Sequence, residues 1–292
     1  MSDRDLAGVN PRVSVTVDGE ALDIEYRRID GPASAPLMIF LHEGLGSVAM
    51  WKDFPDRLCT ALGFRGLVYS RPGYGTSTPR PHAVHWQPDF MHRQAERLLP
   101  ALLVALDIDA AVERPWLFGH SDGGSIALIH AAGFPSQVAG LVVLAPHLDV
   151  EAGGLRSIAV ARDAYLGTDL RERLKRHHAD VDSAFWGWND VWLSPAFRDW
   201  NIRPLLSRIT CPVLAIQGRD DAYGSMAHID GIADVLHDTV LVKLDDCGHS
   251  PHRDRTTDVI DATVHFVGAQ GRTGRGASRP SRRQDKTCTT NS

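Results

Sequence analysis

The feature that most constrains the fold is a serine, Ser121, which follows Gly119 by two residues and precedes Gly123 by two. An apolar run over residues 115–118 leads into it, and a run typical of a helix follows over residues 125–132. We therefore predict a strand, a sharp turn and a helix. Such a turn strains the serine backbone, and side chains on the flanking residues would collide where strand and helix cross. Because the turn presents the hydroxyl beside the amides of a helix N-terminus, it is typical of a nucleophile.

Two further groups that a serine nucleophile needs occur later in the chain, each shortly after a predicted strand. The apolar run over residues 211–217 ends before Asp220 and Asp221, and the run over residues 239–244 ends before His249. Open α/β sheets collect their functional residues at the carboxyl ends of their strands. Successive side chains of an extended segment point in opposite directions, so only one aspartate can easily reach His249. The spacing alone does not decide whether Asp220 or Asp221 contacts His249.

The rest of the chain alternates short apolar runs with helical patterns, which predicts an α/β fold. Apolar and polar residues alternate around Asp18 and Gly19, as in an antiparallel edge hairpin. Continuous apolar runs suit strands that are buried on both faces. They occur at residues 37–41, 66–69, 116–118 and 141–144, with helical patterns at 50–62, at 90–106 and after Ser121. The alternation implies right-handed crossovers and a mostly parallel central sheet flanked by helices.

The alternation of strands and helices stops between residues 146 and 208, which divides the chain into segments. Residues 1–145 and 209–269 are predicted to form the core, and residues 146–208 a small helical cap inserted after the strand that follows the nucleophile helix. Residues 270–292 lack apolar periodicity and are predicted to be a disordered tail.

One face of a predicted cap helix is aromatic, because Phe185, Trp188 and Trp192 are spaced at i, i+3 and i+7. This face either packs the cap onto the core or lines a substrate pocket, since ligand sites are mostly apolar and aromatic. Both interpretations can hold together.

Four motifs make the sequence resemble the α/β-hydrolase superfamily from about Val13 to Val267. They are the turn around Ser121, Leu41-His-Glu-Gly-Leu-Gly-Ser47, Ser70-Arg-Pro-Gly-Tyr-Gly-Thr-Ser77, and Gly248-His249. The resemblance implies an α/β-hydrolase fold with Ser121 as nucleophile and His249 as general base and acid. It implies Asp221 as the carboxylate that orients the imidazole, because the family's acid commonly follows the glycine that ends this strand by three residues. Asp220 remains the alternative for this carboxylate.

A tetrahedral oxyanion needs two backbone amides. One is expected from Asp122, the residue after the nucleophile, and the other from the loop after the first parallel strand, at Gly44. His42 is expected to hold this loop in place. The family often has glycine where this chain has Glu43, so Glu43 is either a solvated loop carboxylate or a pocket residue that positions water or a polar substrate group.

Composition excludes several classes of function. With 31 Lys and Arg against 36 Asp and Glu, the net charge of −5 leaves no basic stripe for nucleic acid. No apolar run reaches the roughly 20 residues of a membrane span, and the first residues lack the features of a signal peptide. We therefore expect a cytoplasmic protein with no nucleic-acid or membrane partner, and the sequence leaves open whether it forms a homo-oligomer.

No metal or cofactor is expected. The four cysteines have no ligand spacing. The cluster of His177, His178, Asp180 and Asp182 resembles metal ligands but is expected to be a solvated face, because consecutive histidines point apart on a helix.

These features together predict a serine hydrolase that cleaves a carboxylic ester of a small molecule through an acyl-enzyme. The alternatives are a hydrolase of carbon–carbon bonds in ring-cleavage products and a hydrolase of lactones, thioesters, carbamates or amides. A non-catalytic ligand receptor on the same scaffold is the alternative of another class, since fold does not determine function.

Overall fold

The computed structural model describes residues 10–273, with side chains up to residue 270. Eight strands form one sheet in the order β1-β2-β4-β3-β5-β6-β7-β8. The strands are β1 (Arg12–Val17), β2 (Glu20–Ile29), β3 (Leu37–Leu41), β4 (Arg65–Tyr69), β5 (Trp116–His120), β6 (Gly140–Leu144), β7 (Val213–Gly218) and β8 (Thr239–Leu244). The β1–β2 and β2–β4 pairs are antiparallel, and all other pairs are parallel. The structure thus confirms the predicted α/β fold and its mostly parallel sheet.

Helices cover both faces of the sheet. They are α1 (Phe54–Leu62), α2 (Phe90–Arg93), α3 (Leu99–Ala105), α4 (Ala110–Glu113), α5 (Asp122–Gly133), α6 (Ala152–Gly167), α7 (Leu170–Leu174), α8 (Val181–Leu193), α9 (Ala227–Ala233), α10 (Pro251–Asp254) and α11 (Thr256–Thr273). A π-helical turn, Gln94–Leu98, joins α2 to α3. Short 3-10 turns occur at Ala49–Trp51, Pro195–Phe197 and Arg203–Arg208.

The core lies on both sides of the sheet because the strand side chains alternate in direction. On β3, Ile39 and Leu41 pack with α3 and α5, whereas Met38 and Phe40 pack with α1 and α11. Every residue of β3, β5 and β6 is buried. The continuous apolar runs in the sequence follow from this double burial.

The inserted segment, residues 146–208, leaves the sheet after β6 and returns to it before β7. It contains α6, α7, α8 and two of the 3-10 turns. Its ends lie together: the amide of Ile202 donates to the carbonyl of Leu148 at 2.7 Å, and Asp149 forms an isolated β-bridge with Asn201. The division into core and cap stays a prediction.

The ends of the chain are described only in part. Helix α11 runs to Thr273, so the first four residues of the predicted tail are helical. Residues 274–292 of that tail lie outside the described residues, as do residues 1–9. Among the described helices, none is long and apolar enough to cross a membrane.

Candidate active site

The turn at Ser121 joins β5 directly to α5. Ser121 has φ +53° and ψ −119°, a left-handed conformation that a residue with a Cβ rarely adopts. Its amide donates to the carbonyl of Leu144 at 2.8 Å, which ties the turn to β6. A Cβ on Gly123 would overlap the backbone oxygen of Leu41, and one on Gly119 would overlap the carbonyl of Gly123. The two glycines therefore let the helix cross the strands at this distance.

Ser121, His249 and Asp221 lie in line within hydrogen-bond distance. Ser121 Oγ is 2.9 Å from Nε2 of His249. On the other side of the ring, Nδ1 of His249 is 2.8 Å and 2.9 Å from the two carboxylate oxygens of Asp221. Since a carboxylate can only accept, Nδ1 carries a proton and Nε2 is left to accept from the serine hydroxyl.

Of the two adjacent aspartates, the structure places Asp221 against His249, and Asp220 is exposed. Asp221 Oδ1 also accepts from the amide of Tyr223 at 2.8 Å, and its other oxygen lies 3.2 Å from Nε2 of Gln217. Burial opposes ionisation of Asp221, but the hydrogen bond and charge of His249 outweigh it and lower the pKa of the carboxyl group. The group beside His249 is therefore a fixed carboxylate.

The residues predicted to supply oxyanion amides lie on two loops. Asp122 is the first residue of α5, where backbone amides have no acceptor within the helix. Gly44 lies on the loop after β3, and a Cβ at this position would overlap the indole ring of Trp188. Both loops begin at carboxyl ends of adjacent strands, so they approach the same edge of the sheet.

Arg71, on the loop after β4, connects these two loops. Arg71 and Asp122 are 0% and 1% exposed, and Nη2 of Arg71 is 3.7 Å from Asp122 Oδ2. The same Nη2 donates to the carbonyl of Glu43 at 2.8 Å. Burial raises the pKa of Asp122 even though Arg71 opposes the shift. Arg71 belongs to the Ser70–Ser77 motif, but its neighbours in sequence do not indicate that its side chain is buried.

His42 is fully buried and holds a single neutral tautomer. Its Nε2 accepts from the amide of Arg71 at 3.0 Å, so Nδ1 is the protonated nitrogen and donates to the carbonyl of Glu43 at 2.7 Å. Burial holds the pKa of His42 well below its usual range. The expected structural role of His42 thus has a specific geometry.

Glu43 belongs to a charged network beside the serine turn. Its Oε1 accepts from Arg253 at 3.2 Å, and its Oε2 lies 3.5 Å from Nδ1 of His120. Nε2 of His120 in turn donates to the carbonyl of His249 at 2.6 Å. Burial opposes ionisation of Glu43, yet His120 and Arg253 hold its pKa well below its usual range. Its side chain is 15% exposed, so it is not a solvated loop carboxylate.

The three aromatic residues predicted on one face of α8 have different neighbours. Phe185 stacks on Tyr165 inside the inserted segment, with ring centroids 3.7 Å apart. Trp188 lies against Gly44, and Trp192 donates its indole N–H to Asp122 Oδ1 at 3.2 Å. Phe185 therefore packs the segment internally, whereas the two tryptophans reach the serine turn and the loop after β3.

Two rings near His249 were missed by the sequence analysis. Tyr223 lies 4.8 Å from the His249 ring, and His147 lies 5.9 Å from it. Burial holds the pKa of His147 well below its usual range, so this ring is neutral. Both residues follow strands at the carboxyl edge, which is the signal that could have found them.

The prediction of a solvated face is wrong for His178, which is 4% exposed. Its Nδ1 accepts from the amide of Gly75 at 3.0 Å, and its Nε2 donates to the carbonyl of Leu45 at 3.0 Å. Both nitrogens are occupied by this loop-to-segment contact, and neither is available to a metal.

A different cluster, formed by Asp149, Glu151 and His228, has ligand atoms within 4.8 Å of one another. Nδ1 of His228 accepts from the amide of Leu148 at 3.2 Å. Neutral His228 therefore carries its proton on Nε2, which faces Glu151 at 3.4 Å. Arg203 already binds Asp149 at 2.6 Å. One nitrogen of His228 and one oxygen of Asp149 are thus already engaged by the protein, which does not fit a metal site.

Comparisons with known proteins agree with this architecture. A model of the alpha/beta hydrolase family matches residues 38–262. The chain is 23% identical over 277 residues to an sn-1-specific diacylglycerol lipase of Mus musculus, covering 86% of this chain and 87% of the relative. It is similar to the crystal structure of a hydrolase from Pseudomonas aeruginosa PA01, at 25% identity and a TM-score of 0.68, covering 90% and 99% of the two chains. A thermophilic esterase from Thermogutta terrifontis has the same fold, at 18% identity, a TM-score of 0.70 and coverage of 89% and 99%.

Proposed function

We propose, because the chain belongs to the alpha/beta hydrolase family, that it is a serine hydrolase that cleaves carboxylic esters or related acyl bonds of a small molecule. The observation that carries the proposal is the alignment of Ser121 Oγ, the His249 ring and the Asp221 carboxylate, with contacts of 2.9 Å and 2.8 Å. In this arrangement, Nε2 of His249 is the base that accepts the proton of the Ser121 hydroxyl.

In the first half of the reaction, Ser121 Oγ attacks the acyl carbon while His249 Nε2 takes its proton. The carbonyl electron pair moves onto oxygen, which the amides of Gly44 and Asp122 would hold. The tetrahedral intermediate collapses as the bond to the leaving oxygen breaks and His249 returns the proton to it. Asp221 stabilises the imidazolium and keeps its orientation.

In the second half, water replaces the alcohol. His249 takes a proton from water, whose oxygen adds to the acyl carbon, and the bond to Ser121 Oγ breaks as the proton returns to the serine. The carboxylic acid leaves and the enzyme is regenerated. No step requires a group beyond this chain and water.

The direct test is covalent labelling by a fluorophosphonate together with turnover of 4-nitrophenyl acetate. Wild-type protein should be labelled one to one, and Ser121→Ala should not be labelled and should lose on the order of 10⁴- to 10⁶-fold in kcat. Ser207→Ala, at an exposed residue of the Arg203–Arg208 turn, is the matched control and should keep both properties. Labelling that persists in Ser121→Ala would refute the assignment, and ligand binding without any labelling would favour a non-catalytic receptor.

A panel of esters with separately varied acyl and alcohol parts, extended to lactones and carbamates, would then define the substrate. The ring-cleavage alternative predicts loss of dienol colour faster than release of nitrophenol, and the ester proposal predicts the reverse.

A further inference from the structure

Two tryptophans of α8 each contact one half of the proposed oxyanion hole. Trp188 and Trp192 are four residues apart, so they lie on the same side of the helix. Trp188 reaches the loop after β3 and Trp192 reaches the first residue of α5. The helix thus bridges two loops that are far apart in sequence.

The contact of Trp192 is a hydrogen bond to the residue that carries an oxyanion amide. Its indole N–H lies 3.2 Å from Asp122 Oδ1, and the opposite oxygen of Asp122 faces Arg71 at 3.7 Å. All three side chains are at least nine-tenths buried. The Asp122 carboxylate is therefore held from two sides, and its orientation constrains the start of α5.

The contact of Trp188 is steric. Its Nε1 and Cδ1 atoms occupy the place where a Cβ on residue 44 would lie, so the edge of the indole rests directly on the Gly44 backbone. Arg71 completes the connection, because its Nη2 donates to the carbonyl of Glu43, which precedes Gly44. Both halves of the hole therefore touch α8 and Arg71.

The segment that carries the two tryptophans is itself anchored. Nδ2 of Asn189, between them on α8, donates to the carbonyl of Ile158 on α6 at 3.1 Å. On the other side of α8, Nε of Arg80 lies 3.1 Å from the position that a Cβ on Gly187 would occupy. Contacts on two sides of α8 therefore fix its position relative to the loops that hold Gly44 and Asp122.

We propose that α8 is a structural part of the oxyanion hole, with Trp188 and Trp192 as positioning residues that set the spacing of the Gly44 and Asp122 amides. The proposal rests on the proposed function. An oxyanion donor acts through its placement before reaction, so support lost at a distance lowers the rate although no donor is removed. The inserted segment then controls the rate as well as the choice of substrate.

The experiment compares Trp192→Phe and Trp188→Phe with Trp186→Phe. Trp186 lies on the same helix but packs on Tyr165 and Phe185, so its variant is the matched control. With 4-nitrophenyl acetate, Trp192→Phe and Trp188→Phe should each lower kcat by about 10- to 100-fold with KM changed less than about 3-fold, and the control should match wild type.

A transition-state analogue gives the second measurement. Ser121 Oγ adds to the carbonyl carbon of a trifluoromethyl ketone while its proton passes to His249, and the resulting oxyanion occupies the hole. The affinity for this ketone should fall in both variants in proportion to kcat/KM. The affinity for the corresponding secondary alcohol, which Ser121 cannot attack and which carries no oxyanion, should be unchanged.

The outcomes separate this proposal from its premise. If wild type is not labelled by a fluorophosphonate, the proposed function fails first. If wild type is labelled but the two variants keep kcat and ketone affinity and change only KM, the tryptophans only line a pocket and the inference is wrong. An equal loss in Trp186→Phe would also overturn it. Because the two contacts are tested separately, misfolding of one variant leaves the other decisive.

Discussion

His249 makes its two critical contacts from opposite sides of one ring, so the identity of the acid can be tested by a single-atom change. Asp221→Asn places an amide at 2.8 Å from Nδ1, and an amide that donates there favours the wrong tautomer. We expect kcat to fall by about 10⁴-fold, as in a related triad. Asp220→Asn, at the exposed neighbour, should cost little.

Turnover of both purified variants between pH 6 and pH 9, with folding checked by circular dichroism, provides the measurement. Strong impairment of Asp220→Asn with an active Asp221→Asn would show that the acid is misassigned.

Glu43 is a residue whose contribution to stability should depend on pH. Its pKa in the folded protein lies well below the usual value, so its stabilising effect is present above about pH 4.5. That effect is lost as the pH falls through the folded pKa, because the folded state then takes up the proton. Glu43→Gln should lower the free energy of unfolding by about 1–3 kcal/mol at pH 7, with a smaller difference below pH 4.

Urea unfolding at both pH values measures this effect. Glu172→Gln is the control, since Glu172 forms exposed ion pairs with Arg171 and Lys175, and such pairs contribute little. A Glu43 effect that stays constant or grows toward low pH would contradict the assignment.

At the scale of elements, the close approach of α5 to β3 depends on the missing side chain of Gly123. A Cβ on Gly123 would overlap the backbone oxygens of Leu41 and His42, and backbone cannot move aside as a side-chain tip can. Gly123→Ala should destabilise the protein by about 3 kcal/mol or more. Gly133→Ala, at the end of the same helix, meets nothing closer than 3.9 Å and should be neutral or stabilising by up to about 1 kcal/mol.

The urea unfolding midpoints of Gly123→Ala and Gly133→Ala test this difference in stability. Similar midpoints would mean that α5 can shift relative to the sheet without penalty.

The elements that the sequence could predict are those in which one local signal suffices. The strands were predictable because burial on both faces requires an uninterrupted apolar run, and Ser121 because its turn requires glycines on both sides. The choice of Asp221 over Asp220 depended on family resemblance, since spacing could not decide it. Arg71 was not predictable, because its full burial depends on Asp122, Glu43 and His42, which only the fold brings together.

The aromatic face of α8 shows the same limit. Helical periodicity placed Phe185, Trp188 and Trp192 together, and the structure puts them on one helix. Their separate partners depend on how the helix docks on the sheet, and no pattern within residues 181–193 carries that information.

At the scale of the whole molecule, Ser121 lies beside the inserted segment. It is 6% exposed, and Trp188 and Trp192 of that segment lie against Gly44 and Asp122, so we expect the two tryptophans to cover the approach to the serine turn. Trp188→Ala should remove this cover and raise the rate ratio of bulky to small esters about 10-fold. The absolute rate with the smallest ester should fall, since Gly44 loses its support.

Competition between a small and a bulky nitrophenyl ester measures the ratio without reference to enzyme concentration. A uniform loss across all esters that follows a lowered Tm would indicate simple destabilisation.

The meeting of the two ends of the inserted segment has a consequence for how such a protein can be varied. Since the amide of Ile202 bonds back to the carbonyl of Leu148, the two ends of the stretch between them are already held together. A replacement of different length would add little to the entropy of loop closure. We therefore expect residues 149–201 to be exchangeable as a unit, and a chimera that folds but turns over slowly would show that a grafted segment must supply its own pair of indoles.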